Sequence, residues 1–324
     1  MINPSEFLSI VVPMFNEQEN ILNTYESING ELERLGIKDS EIIFVNDGST
    51  DDSWSIAKEL EKVKANLTVI GYDENQGRGK ALREGIVRAK GEIIITLDFD
   101  LSYDVSHISK MLTALDNNKS VDVILVSCYM PGGKTIGIPP FRLFVSKVAN
   151  LLYRFAYDPP VYTSTCVVRA YRKNAVKNLY LTSDDKEIHL EILSKVLANN
   201  FKVLEIPGVL QKRKKGKSKF KFRSQSIAHI VYFIQEKPFT IFGILGFLLI
   251  VIGILSTTIL LYTRFGGDPE FNATYISKLI SPNFIIILCL SGLQMLGIGF
   301  LGIQNNLLKR ELFRIQNMIK KYHE

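Results

Sequence analysis

From Phe239 to Tyr262 the chain carries no charged residue, and a second uncharged run extends from Pro282 to Ile303. Each is long enough to cross the hydrocarbon core of a bilayer as a helix, which takes about 20 apolar residues. Two buried core helices would be the alternative, but no further domain remains to cover them. The expectation is a membrane protein with two spans near its carboxyl-terminal end. Charge sets their direction. The connecting stretch, Thr263 to Ser281, carries few charges, whereas Lys212 to Arg223 before the first span is strongly basic. Lys309, Arg310, Arg314, Lys320 and Lys321 follow the second span. Cationic flanks stay on the cytoplasmic side, so the amino-terminal region and the tail are expected in the cytoplasm and the short loop outside. Met1 to Glu6 is polar and the apolar run Phe7 to Pro13 is too short for a signal peptide, which agrees with that orientation.

A run such as Lys212–Arg223 suggests nucleic acid when it stands alone. Beside two spans it reads as an attraction to anionic headgroups, about 1 kcal/mol per charge, and no nucleic-acid partner is expected. Ser224 to Gln235 fits an interfacial helix with Ile227, Ile230, Val231 and Phe233 on its apolar side. The expected organisation is a large domain over 1–210, a basic loop and interfacial helix over 211–237, two spans within 238–305 and a basic tail over 306–324. Gly292, Gly297, Gly299 and Gly302 would allow close packing between neighbouring chains, so a homo-oligomer is possible.

The large domain alternates short apolar strands with amphipathic helices. Strands are expected at Leu8–Pro13, Glu41–Val45, Leu67–Tyr72, Ile93–Leu97, Val121–Val126, Val161–Tyr171 and Phe201–Ile206. Helices fall between them, the first opened by a capping box of Asn16 and Glu19. A loop is expected over Cys128–Pro140 and a helix over Phe141–Phe155. This pattern predicts an α/β domain with a parallel, doubly wound sheet. The polar signals recur just after strands: Asn16 and Glu17, Asp47, Asn75, then Asp98 and Asp100. In open α/β sheets the carboxyl ends of the strands form the ligand crevice. Two carboxylates one residue apart at a strand exit can reach one hard cation, Mg²⁺ or Mn²⁺, that already carries a diphosphate. Phe99 between them is a candidate to touch a sugar or ribose.

Common nucleotide motifs are absent. Pro13-Met-Phe-Asn-Glu17 follows the first strand in place of G-x-G-x-x-G, and Gly77-x-Gly79-Lys80 lacks P-loop spacing and its Ser/Thr. The three cysteines, Cys128, Cys166 and Cys289, and the four histidines show no zinc spacing and fit a reducing compartment.

Taken in order, Val-Pro13-Met-Phe-Asn-Glu17, Val45-Asn-Asp47-Gly-Ser-Thr-Asp, Asn75-x-Gly-x-Gly-Lys-Ala and Asp98-x-Asp100-Leu-Ser resemble the inverting, GT-A-fold glycosyltransferases of family 2. Arg142-x-x-x-Ser146 and Arg213-x-x-Gly216-x-Ser218-Lys219 follow in the same order. Within that family the chain is most similar to the polyprenyl-phosphate enzymes: dolichol-phosphate mannose and glucose synthases, and bacterial undecaprenyl-phosphate glucosyltransferases. The resemblance implies a Rossmann-like, mostly parallel sheet, and transfer of a hexosyl group from a UDP- or GDP-linked sugar to a polyprenyl phosphate at the cytoplasmic membrane face. It implies that Pro13, Phe15, Glu17, Val45 and Asp47 hold the nucleoside, and that Asp98 and Asp100 hold metal and diphosphate with Ser102 beside them. It further implies that Arg142, Ser146, Ser218 and Lys219 meet the acceptor phosphate, and Arg213 the phosphates of donor or acceptor.

On pattern alone a solvated helix face accounts for Arg142 equally well, and membrane attraction for Arg213 and Lys219. An anionic acceptor phosphate needs no strong base such as Glu187 or Glu191. Three positions depart from the family pattern: Cys128 stands where relatives often have Arg, Thr163–Arg169 lacks the usual Asp and Gly, and Asn46 replaces an Asp. Lys134 is a candidate substitute for the missing arginine. A processive polysaccharide synthase is disfavoured because Trp54, the only tryptophan, lies far from any Gln-x-x-Arg-Trp context. A non-catalytic lipid-binding subunit is the other alternative.

Overall fold

Ile93, Ile94 and Ile95 have no polar side chain to offer solvent, and β4 (Ile93–Thr96) is accordingly buried in the middle of the sheet. The computed structural model describes residues 7–157, 160–212, 238–265 and 281–323. Arg213, Ser218, Lys219, most of the basic run, the expected interfacial helix and most of the inter-span loop lie outside those residues. In chain order the first part comprises β1 (Leu8–Met14), α1 (Ile21–Arg34), β2 (Ser40–Asp47), α2 (Ser53–Val63), β3 (Leu67–Tyr72) and α3 (Arg78–Arg88), leading to β4. Then follow α4 (His107–Asn117), β5 (Val123–Ser127), β6 (Lys134–Ile136), α5 (Pro140–Ala156), β7 (Arg169–Arg172), α6 (Lys173–Val176), α7 (Ile188–Ala198), β8 (Val203–Pro207) and β9 (Val209–Gln211).

Seven strands form one sheet in the order β3-β2-β1-β4-β7-β5-β8. β1, β2, β3 and β4 run parallel, as do β5 and β8, while β7 is antiparallel to both its neighbours. The sheet is therefore mostly parallel, as the GT-A resemblance implies, with β7 departing from the wholly parallel sheet that alternation alone predicts. β1 and β2 are paired from Leu8–Ser40 to Met14–Asn46. That register brings Pro13 beside Val45 and sends both chains out at the same edge, where β4 also ends.

Three local expectations are corrected. Asn16 does not cap α1, which starts at Ile21 after Asn20; Asn16 has φ +50° and turns its side chain to Thr50. The long strand expected over Val161–Tyr171 is reduced to β7, because the amides of Tyr162 and Thr163 bond to Glu205 and that of Ser164 to Asn150. The loop over Cys128–Pro140 contains β6, which pairs with β9 in a second, two-stranded sheet.

The chain divides into two compact units: Met1–Phe222 with Leu312–Glu324, and Arg223–Glu311. The second is built from α8 (Pro238–Phe265) and most of α9 (Pro282–His323), both long and apolar enough to cross a membrane. Large apolar side chains face outward along them, among them Phe247, Leu261, Leu290 and Leu301. The two helices pack through small residues. A Cβ on Gly246 would stand 2.6 Å from the carbonyl oxygen of Gly292, and one on Gly302 2.2 Å from Pro238 Cγ. Gly292, Gly299 and Gly302 are thus engaged with α8 of the same chain, and only Gly297 of that set faces open space.

Candidate active site

After Thr96 the chain leaves the sheet in a tight turn, with Leu101 N donating to the carbonyl of Asp98 at 3.2 Å. Leu101 has φ +49°, a strained conformation for a branched residue. The turn is held from two sides. The Thr24 hydroxyl donates to the Phe99 carbonyl at 2.7 Å, and the Phe99 ring lies in the core 4.9 Å from that of Phe44. Phe99, expected to touch sugar or ribose, instead anchors the turn from beneath. Asp98 and Asp100 are left at the carboxyl end of β4.

Asp100 Oδ1 accepts from the amide (3.0 Å) and hydroxyl (2.6 Å) of Ser102, which orients the carboxylate. Arg78 Nη1 stands 3.4 Å from Asp98 Oδ1. Among the described residues no group of three or more His, Cys, Asp or Glu gathers to hold a metal alone. Two hard oxygen donors at a sheet edge fit the way Mg²⁺ and Mn²⁺ are held, by one or two carboxylates with substrate phosphates and water.

Beside this turn stands a wall organised by Asp47. Its buried carboxylate gathers the segment after β3: Oδ1 accepts from the Tyr72 hydroxyl (2.7 Å), Gln76 N (2.9 Å) and Gly77 N (3.0 Å), and Oδ2 from Asn75 Nδ2 (2.9 Å). Burial, and then the hydrogen bond to Asp47, push the Tyr72 phenol well above its ordinary pKa. Gly77 has φ +101°, and a Cβ there would lie 2.3 Å from the Asp184 carbonyl oxygen, so only glycine fits.

The loop after β1 is stitched to the loop after β2. Asn16 bonds to Ser49 and Thr50, and Glu17 N donates to Ser53 Oγ at 2.7 Å. Glu17 is buried and its carboxylate accepts from Asn20. Pro13 and Phe15 are half-buried at this edge, while Val45 is fully buried beneath it. The structure therefore brings Pro13, Phe15, Glu17, Asp47, Asp98, Asp100 and Ser102 to one sheet edge. Sequence reasoning passed over Tyr72 and Arg78; a cation inside Asn75-x-Gly-x-Gly was the available signal.

On the other side lies α5. Ser146 Oγ accepts from the Tyr129 hydroxyl at 2.8 Å, and Asn150 Nδ2 donates to the Ser146 carbonyl at 2.9 Å. Arg142 is exposed one turn before Ser146. Its charge and that of Arg78 reach Lys186, whose ammonium burial, first of all, pushes below its ordinary pKa. Phe141, Phe144, Val148 and Leu151 stand exposed at helical spacing along α5. Cys128 is buried, and burial raises its thiol pKa; it supplies no charge where relatives often place arginine. Lys134 begins β6, with its amide bonded to Gly208.

Similarity to known proteins agrees with this geometry. Over 323 residues the chain is 25% identical to the undecaprenyl-phosphate 4-deoxy-4-formamido-L-arabinose transferase of Edwardsiella ictaluri (strain 93-146), covering 97% of this chain and 95% of the relative. It is 26% identical to the enzyme of the same name from Enterobacter sp. (strain 638), covering 91% and 86%. Among solved structures, glucosyl-3-phosphoglycerate synthase from Mycobacterium tuberculosis, in complex with Mn²⁺, UDP and glucosyl-3-phosphoglycerate, superposes with a TM-score of 0.52 at 16% identity. That match covers 71% of this chain and 80% of the other. The UDP complex of the same synthase gives 0.54, covering 72% and 80%. These structures share the GT-A fold. The family model "Glycosyl transferase family 2" matches residues 9–180, more than half of the 324 residues, and the chain belongs to that family.

Proposed function

We propose that this glycosyltransferase moves a glycosyl group from a nucleoside diphosphate sugar to a polyprenyl phosphate, with inversion, at the cytoplasmic face of a membrane crossed by α8 and α9. The observation that carries the reading is the pair Asp98 and Asp100 at the exit of β4, flanked by the Asp47 wall and by α5. The names of the two curated relatives support a lipid-phosphate acceptor, and the Mn²⁺ and UDP complexes of the structural neighbours support a metal-bound nucleotide. The sugar is a hexosyl group of the UDP-glucose or GDP-mannose class on the sequence reading. The relatives' names add a modified arabinose to the candidates.

Asp98 and Asp100 would hold the divalent cation, which when bound neutralises charge growing on the leaving diphosphate. Ser102 fixes the Asp100 carboxylate. Pro13, Phe15 and Glu17 would line the nucleoside side, with Asp47 holding their neighbours in place. Val45 is fully buried, so it supports them from beneath and does not itself touch the nucleoside, contrary to what the resemblance implies. Arg142, Arg78 and Lys186 supply positive charge around the phosphates, where charge-assisted hydrogen bonds are strong. Ser146 would meet the acceptor phosphate, with Arg213, Ser218 and Lys219 completing the set. The acceptor oxygen is anionic near neutral pH and attacks opposite the leaving group, so no side chain has to remove a proton. The exposed apolar residues of α5 suit contact with the lipid phase beside the phosphate.

Purified full-length protein in detergent, offered radiolabelled UDP-glucose, GDP-mannose and UDP-4-deoxy-4-formamido-L-arabinose with dolichyl or undecaprenyl phosphate, tests the reading. One chelator-sensitive labelled lipid is expected. Hydrolysis of every donor without lipid product would refute it.

A further inference from the structure

Helix α9 outlasts its apolar stretch, and from Leu312 onward it belongs to the same compact unit as the sheet. There it meets the end of α7. Arg314 Nε donates to the Ala198 carbonyl at 3.0 Å, one of those that a helix end leaves without an intrahelical partner. The Phe313 ring covers the Lys195 ammonium, 4.6 Å from the ring centroid, a cation–π contact. Lys195 is almost completely buried; it donates to Glu191 Oε1 at 2.6 Å and to the Tyr180 carbonyl.

Glu191 passes the restraint on. Oε1 accepts from Thr182 N (2.9 Å) and Thr182 Oγ1 (3.0 Å), and Oε2 from Ser183 N (2.8 Å). Burial works to raise its pKa, but the Lys195 hydrogen bond and the Ser183 amide outweigh it and leave the carboxyl below its ordinary range. The segment so held backs the start of α3. Asp184 O accepts from Lys80 N at 3.1 Å, Asp184 is ion-paired with Arg83, and Arg83 Nη1 reaches the Leu181 carbonyl at 2.9 Å. A Cβ on Gly79 would lie 2.5 Å from Ser183 O, so the two backbones are in direct contact. The start of α3 carries Arg78 over Asp98, and the held segment runs on into Lys186.

We propose that Phe313, Arg314, Lys195 and Glu191 form a latch that positions Arg78 and Lys186 at the nucleotide site, so that the last turns of α9 are a working part of the transferase unit. All four are positioning residues, and none touches a reacting atom. The inference rests on reading the sheet edge as a nucleotide site. The physical reason is burial: with Phe313 in place the Lys195–Glu191 pair is shielded from water and holds firmly, whereas hydration of the pair weakens it.

The test uses the full chain in detergent with Mn²⁺, titrating UDP and GDP calorimetrically while following amide hydrogen exchange. Glu191→Gln is expected to weaken nucleotide binding about tenfold and Phe313→Ala about threefold, with the double variant no worse than Glu191→Gln alone, since coupled neighbours are not additive. Exchange should quicken at Thr182, Ser183 and Gln76–Lys80 in each variant, and Phe313→Leu, which keeps the apolar cover, should restore most of the affinity. The latch is overturned if Phe313→Ala binds nucleotide and exchanges like the native chain, or if melting falls while both stay unchanged. Should the native chain bind neither nucleotide, the reading of the site fails, and the exchange pattern alone then decides whether the latch exists.

Discussion

On the Asp47 side of the sheet edge, one buried carboxylate holds a phenol, two backbone amides and a side-chain amide within 3.0 Å. On the Ser146 side, α5 contributes one hydroxyl bonded to Tyr129 and turns Phe141, Phe144, Val148 and Leu151 outward. The first arrangement is preorganised, with loops fixed before anything binds. The second is an apolar face with a few polar groups set along it, suited to a ligand that brings its own hydrocarbon. A soluble, rigid donor and a long lipid acceptor would ask for that division.

Substitutions can break the contrast. The largest effect is expected from Asp100→Ala, which should lower transfer roughly a thousandfold, the scale of losing a main electrostatic stabiliser, while circular dichroism stays native. Next is Asp47→Ala. It leaves the Tyr72 hydroxyl and the amides of Gln76 and Gly77 without their acceptor, at about 1–3 kcal/mol for each group that stays buried and unsatisfied. Both the melting temperature and nucleotide affinity should fall. Retained nucleotide affinity in that variant would mean the wall is not preorganised by Asp47.

The Ser146 side should respond differently. Arg142→Ala is expected to raise KM for the lipid phosphate about tenfold and leave KM for the donor unchanged, as loss of one charge-assisted contact would. A matching rise in donor KM would move Arg142 to the other side of the site. Phe144→Asp should raise KM several-fold for a long polyprenyl phosphate but not for a short, water-soluble one; equal effects on both would remove the lipid-facing role of α5.

The smallest effect concerns pH. Glu191 has a folded pKa below its ordinary 4.5, so its contribution to stability is complete above that value and is lost as pH falls through the lower folded pKa. Melting curves from pH 6 to pH 3 should therefore show a shallower acid decline in Glu191→Gln than in the native chain.

Legibility in the sequence divided local signals from tertiary ones. The isoleucines of β4 and the turn signals after β2 and β3 announce themselves locally, because a buried parallel strand needs an unbroken apolar run and a tight turn needs Gly or Asn. Asn16 misled for a tertiary reason: its capping signature with Glu19 is local, but Thr50 and Ser49 offered partners from the neighbouring strand's loop. Val161–Val168 reads as a strand by composition, yet Glu205 and Asn150 claim its amides from a distance that spacing cannot reveal. Phe99 sits between two site residues yet turns into the core, because the tight turn after β4 sends its ring against Phe44 and its carbonyl to Thr24, contacts made far along the chain. Arg78 was hidden because the motif around it is defined by glycines, which mark where backbones meet and not where charges reach.

Asp98 and Asp100 are proposed to serve inverting transfer onto a lipid phosphate. Proton NMR of the lipid product, read for the anomeric configuration against that of the donor sugar, tests that role most directly. The expected product is a glycosyl phosphoryl lipid of inverted configuration, formed only with divalent cation and missing in Asp100→Ala. A product of retained configuration, or one formed equally by Asp100→Ala, would contradict that role.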